Sequence, residues 1–133
     1  MLNKVIVVKK WSAILFGGLF FILAASRVSA CSCAAQTPQM YDDGADIIFT
    51  GEVKSIGKSW DKQAYEFKVL KVKKGLKKDT KTITVYALIN GAECGTTFEK
   101  GQTYQIYAIL NEDKKYETNL CMGNQDVFEE EEY

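Results

Sequence analysis

Apolar and polar positions alternate through most of the chain after Ala45. From Ala45 to Ile56, Ile47, Phe49, Gly51 and Val53 share one face at a period of two, the signature of a half-buried strand. Gln63 to Lys74 continues the pattern: Tyr65, Phe67 and Val69 alternate with Glu66 and Lys68, and then Leu70 and Val72 alternate with Lys71 and Lys73. The apolar phase flips between Val69 and Leu70. A one-residue change of phase predicts a β-bulge that re-aims the strand, and strands bent in this way suit small closed barrels. Thr80 to Leu88, rich in β-branched residues, reads as a third strand, Gln102 to Leu110 as a fourth and Tyr116 to Cys121 as a short fifth. Turns are predicted over residues 57–62, 75–79 and 111–115, and at Asn90-Gly91. Thr37-Pro38 opens one helical turn through Tyr41, which Asp42-Asp43-Gly44 ends. Strands at this spacing predict an all-β barrel or sandwich in one small domain.

The first thirty residues follow a different pattern. Lys4, Lys9 and Lys10 precede an apolar run from Trp11 to Ala25, and Ser26 to Ala30 ends in small residues. A run of about fifteen apolar residues is shorter than the roughly twenty of a membrane span, so residues 1–30 are expected to be a cleaved signal peptide. The mature chain then starts at Cys31, is secreted, and has no transmembrane helix. Val28-Ser29-Ala30-Cys31 also fits a lipobox, which would make Cys31 a lipid anchor at the cell surface. Two features oppose that reading. Arg27 stands where an apolar residue is expected, and lipidation would leave an odd number of thiols in an exported domain.

Cleavage changes the charge balance. The whole chain has 17 basic and 17 acidic residues, and four of the basic ones, including the sole Arg, lie in the leader. From Cys31 onwards 13 Lys face 17 acids, a net charge of −4. An acidic, Arg-free domain is not expected to bind nucleic acid. Residues 31–124 form the predicted domain. Residues 125–133 are read as an acidic tail, because Asp126 to Tyr133 carries five acids and no core face.

The four cysteines, Cys31, Cys33, Cys94 and Cys121, imply two disulfides in an exported protein. A Cys31–Cys33 bridge would close a very small strained loop, which leaves two long-range pairings open. Their spacing does not match the paired C-x2-C of zinc ribbons or the C-x-x-C of redox dithiols. The chain has no His, no G-x-S-x-G setting, no phosphate-cradling Gly-rich loop and no acid pair at motif spacing. It is therefore not expected to be an enzyme or to carry a cofactor of its own.

Several segments, taken together, resemble the tissue inhibitors of metalloproteinases and the wider netrin-like domains. Cys31-Ser32-Cys33-Ala34 with Pro38-Gln39 resembles the family's opening, and Ala45 to Val53 its first strand. Tyr65 to Gly75 is similar to its second strand. Cys94-Gly95 with Lys100-Gly101-Gln102-Thr103-Tyr104 follows the family's Cys-Gly and Gly-x-x-Tyr pattern, and Asn119-Leu120-Cys121 with Gly123-Asn124 resembles the close of its core. The resemblance implies a five-stranded OB-fold barrel with a short N-terminal helix, and bridges Cys31–Cys94 and Cys33–Cys121. It also implies an inhibitor of an extracellular zinc metalloendopeptidase, acting as a monomer. The Cys31 amine and carbonyl would chelate the target's zinc, Ser32 would enter the S1′ pocket, and Gly91, Ala92 and Glu93 would pack beside Cys31-Ser32-Cys33-Ala34. Thr37 and Ala35 stand where the family has His and Pro, and its third inhibitory-domain bridge and its second domain are missing. The alternative is a non-inhibitory extracellular OB/netrin-like binding module, for envelope components or another extracellular protein, or a cell-surface lipoprotein. Its Lys68–Lys81 stretch is read first as a solvated, guarded strand edge and second as a face for an anionic partner.

Overall fold

The computed structural model describes residues 31–128. The expected signal peptide and residues 129–133 of the expected tail lie outside the described residues. One short helix, α1 (Pro38–Gly44), precedes the strands β1 (Ile47–Ser59), β2 (Lys62–Lys74), β3 (Thr82–Leu88), β4 (Thr103–Leu110), β5 (Tyr116–Thr118) and β6 (Gln125–Asp126). The sheet runs β1-β2-β3-β5-β4, and β1 pairs again with β4, so five strands close into an OB-like barrel. β3 and β5 are parallel, and the remaining pairings are antiparallel.

The alternating residues of the sequence fill this barrel. Ile47, Phe49 and Val53 from β1, Tyr65 and Phe67 from β2, Val85 and Ala87 from β3, and Tyr104, Ile106 and Ala108 from β4 form one buried cluster. Phe98, from the irregular segment before β4, joins them. Its ring meets Tyr65 at 5.0 Å and Tyr104 at 4.9 Å between centroids, both edge-on, the favoured contact for aromatic quadrupoles.

Three register shifts bend the β1–β2 pair. One leaves Leu70 without a partner between the Gly51–Val69 and Thr50–Lys71 pairs, where the apolar phase flips in the sequence. The others leave Lys54 and Lys73 unpaired, in stretches where polar residues hide any change of phase.

Several boundaries differ from expectation. The turn at 57–62 contracts to Trp60-Asp61, because Lys58 pairs with Gln63 and Ser59 with Lys62. Trp60 sits at this tip with φ 55° and is 94% exposed. The fifth strand ends at Thr118 rather than Cys121, and the chain turns there to bring Cys121 to its bridge. Residues 125 and 126, read as the start of a solvated tail, pair with Gln105 and Tyr104, and the Val127 amide donates to the Thr103 carbonyl at 3.0 Å. β2 is hydrogen-bonded on both sides only as far as Val69; from Leu70 to Lys74 it pairs with β1 alone, so Lys71, Lys73 and Lys74 lie on a stretch with one open side.

α1 packs outside the barrel. Thr37 caps it, its Oγ1 accepting from the Met40 amide at 3.3 Å, and Pro38 occupies the first turn. Tyr41 contacts the Tyr107 ring and, with Met122, covers a small cluster of Ala45, Ile48 and Tyr107. Lys73 pairs with Asp42 at 3.0 Å, and Lys74 donates to the carbonyls of Asp42 and Ala45 at 2.8 and 2.6 Å. The end of β2 thus holds the C-terminal end of α1, where backbone carbonyls lack helical partners. No helix among the described residues is long and apolar enough to cross a membrane.

Candidate functional site

Two disulfides tie the N-terminal segment to the far end of β3 and the loop after β5. Cys31 is bridged to Cys94 and Cys33 to Cys121, each with Cα atoms 5.2 Å apart, across sequence separations of 63 and 88. The two anchor points are themselves joined: the Cys94 carbonyl accepts from the Leu120 amide at 3.0 Å, and Asn119 Oδ1 accepts from the Cys121 amide at 2.8 Å. The sulfurs of Cys31, Cys94 and Cys121 lie within 4.8 Å of one another. That spacing would suit a metal if the thiols were reduced, but no described cysteine is free, and a bridged sulfur is not a thiolate ligand or a nucleophile.

The sequence-predicted residues come together as one ridge. Cys31 is half-buried against its partner, while Ser32, Cys33 and Ala34 are exposed. Gly91–Glu93 forms a single 3-10 turn directly before Cys94, with Gly91 and Glu93 exposed. The Asn90 carbonyl closes this turn by accepting from the Glu93 and Gly95 amides at 3.2 and 3.0 Å, and the Gly91 carbonyl accepts from Cys94. Cys94 itself has φ 60°, in the left-handed region. Gly95 then passes so close to the end of β3 that a Cβ would stand 2.3 Å from the Leu88 carbonyl oxygen and 2.7 Å from that of Asn90. This is the physical need behind the Cys94-Gly95 pair: a side chain there would push the bridge away from the barrel.

A second layer supports the ridge; the sequence marks Asn124 only through the Gly123-Asn124 resemblance and gives no sign of the network around it. Asn124 Oδ1 accepts from the Tyr107 amide at 2.8 Å, and its Nδ2 donates to Thr118 Oγ1 at 2.7 Å. Thr118, buried, donates in turn to the Tyr107 carbonyl at 2.7 Å. This network fixes the loop between β5 and β6 that carries Cys121, and satisfies polar groups that burial would otherwise leave unpaired. No single residue type announces such a network; only its neighbours in space define it.

Chemically, the ridge offers backbone rather than side-chain groups. Ser32 brings one hydroxyl, Glu93 one carboxylate, and the Cys31 residue a carbonyl and a backbone nitrogen. The bridges also place the domain in an oxidising environment, since disulfides persist there and not in a reducing cytosol. No family model and no curated protein matches the sequence.

Proposed function

We propose that the protein is a secreted inhibitor of zinc metalloendopeptidases, of the kind that its resemblance to the tissue inhibitors of metalloproteinases implies. One observation carries this reading: the Cys31–Cys94 bridge holds Cys31 beside the Gly91–Glu93 turn, with Ser32 projecting from the same ridge into solvent. Cleavage before Cys31 would turn its backbone nitrogen into an α-amine. With an ordinary pKa of roughly 7.7–8.0, a substantial fraction of such an amine is neutral near pH 7 and free to donate a lone pair. Amine and carbonyl of one residue then form a five-membered chelate with a metal. In a zinc peptidase the fourth zinc position holds the water that attacks the substrate, so occupying it stops hydrolysis.

The barrel's role is to reduce the ordering cost of binding. A free N-terminus would lose backbone freedom on docking, whereas one tied at both Cys31 and Cys33 has already lost it. Ser32, between the two bridges, would enter the pocket beside the metal, and Gly91, Ala92 and Glu93 would lie along the cleft. The test is inhibition of a panel of zinc endopeptidases by the chain starting at Cys31, before and after acetylation of its amine. Inhibition that acetylation abolishes supports the reading. Inhibition that survives acetylation contradicts chelation, and an inert panel contradicts inhibition.

A further inference from the structure

A groove of about 600 Å³ opens on the opposite end of β3 from the ridge, lined by Lys54, Lys68, Val69, Lys78, Lys81 and the adjacent threonines, with Asp79 its one acid. The strand irregularities build it. Lys54 is the unpaired residue of a β1 bulge, and Leu70 is bulged out of β2 next to Val69. The β2–β3 connection is pinned by the Thr80 amide donating to Lys77 at 3.0 Å and by Val69 donating to the Lys81 carbonyl at 2.8 Å. Lys54 is partly neutralised by Glu52 at 3.1 Å, but Lys68, Lys78 and Lys81 have no ion pair among the described residues. Lys73 and Lys74, nearby in sequence, point elsewhere and hold α1. The groove is therefore a local concentration of positive charge on a domain that is acidic as a whole.

We propose that this groove binds an acidic polysaccharide. Its cations are all lysines, point charges without the planar fork that grips one phosphate or carboxylate bidentately, so they suit charge repeated along a chain. The lining has no aromatic ring, and single-stranded nucleic acids need such rings for base stacking. Val69, the lysine stems and the hydroxyls of Thr80 and Thr82 instead match the C–H faces and hydroxyls of sugars. The disulfides place the domain in an oxidising, extracytoplasmic setting, where such polymers are met. From Thr82 to Leu88, β3 separates groove from ridge by roughly 20 Å at about 3.3 Å per residue, so both can be occupied at once.

The test measures binding of the intact, disulfide-bonded protein to polygalacturonate, heparin and a single-stranded oligonucleotide of matched charge, with no protease present. At least one polysaccharide is expected to bind more tightly than the oligonucleotide. The Lys68→Gln/Lys78→Gln/Lys81→Gln variant is expected to bind that polysaccharide at least tenfold more weakly, whereas Lys58→Gln/Lys100→Gln/Lys114→Gln, with the same change of charge elsewhere, shifts it less than twofold. The proposal is overturned if neither polysaccharide binds, if the oligonucleotide binds as tightly, or if the two triple variants lose affinity equally. None of these outcomes depends on the Cys31 amine, so failure here leaves the inhibitory reading to its own test.

Discussion

Ser32 and Gly95 divide the work of the ridge between contact and support. Ser32 is exposed and makes no packing contribution, so Ser32→Arg is expected to leave the thermal midpoint unchanged. In the inhibitory reading the same change alters affinity for peptidases with a small pocket by about tenfold or more, about 1.4 kcal/mol. Inhibition constants and melting curves for one variant separate the two roles. Gly95 is the converse. A methyl group there meets two carbonyl oxygens at 2.3 and 2.7 Å, so either the end of β3 at Leu88 or the turn at Asn90 must shift. Gly95→Ala is expected to cost about 1–3 kcal/mol in denaturant unfolding, as overpacking does, and, in the inhibitory reading, to weaken inhibition through displacement of Cys94. A stable Gly95→Ala protein would show that the close approach relaxes freely.

At the scale of elements, the bends and braces decide where the ridge sits. Thr37→Ala removes the cap of α1 and is expected to cost about 1 kcal/mol, read as a lower urea midpoint with an unchanged slope. Lys62 and Glu117 form a side-chain pair that ties the start of β2 to β5. The hydrogen bond with Glu117 raises the Lys62 pKa, and burial raises those of Tyr65 and Tyr107. All three shifts have the same sign. A folded-state pKa above the unfolded value gives stability that is complete below the unfolded value and is lost as pH rises through the folded one. The midpoint should therefore fall as pH climbs past about 10, where tyrosine and lysine ordinarily titrate. Glu117→Gln should reduce the lysine share of that fall; an identical alkaline profile would contradict it.

The strands were readable because each lines the barrel with apolar residues at a period of two, even where Ile48 and Tyr107 bury a second face under α1. The Leu70 bulge was readable for the same reason, since it interrupts an apolar series. The bulges at Lys54 and Lys73 were not, because Lys-Ser-Ile and Lys-Lys offer no apolar phase to break. β6 was hidden for a related cause: two exposed polar residues joined to β4 by backbone hydrogen bonds carry no side-chain signal. The candidate site was visible as a cysteine pattern and as a resemblance, while the pairing itself depends on which loops the barrel brings together. Asn124 belongs to the resembling Gly123-Asn124 pair and Thr118 to the expected fifth strand, but the network that they form emerges only when Tyr107 is placed beside them.

On the scale of the whole molecule, a domain of this size buries too little surface to be secure without staples, and both staples hold the same short segment. A loop of some sixty to ninety residues is worth about 4 kcal/mol in the chain-entropy picture, and often less in practice. Cys33→Ser/Cys121→Ser is therefore expected to lower stability by about 2–4 kcal/mol while the aromatic cluster around Phe98 still closes the barrel. Unfolding followed by near-ultraviolet circular dichroism checks both halves of that statement. In the inhibitory reading, activity should be more sensitive than the fold, because it needs Cys31 and Ser32 held in one direction. The most direct measurement compares two disulfide-bonded proteins, one starting at Cys31 and one with a single Ala added before it, against a zinc endopeptidase that the first inhibits. The added residue leaves the barrel and both bridges unchanged but moves the free amine off Cys31. Loss of inhibition by at least a hundredfold is the expected result; equal inhibition by the two proteins would contradict chelation by the Cys31 amine.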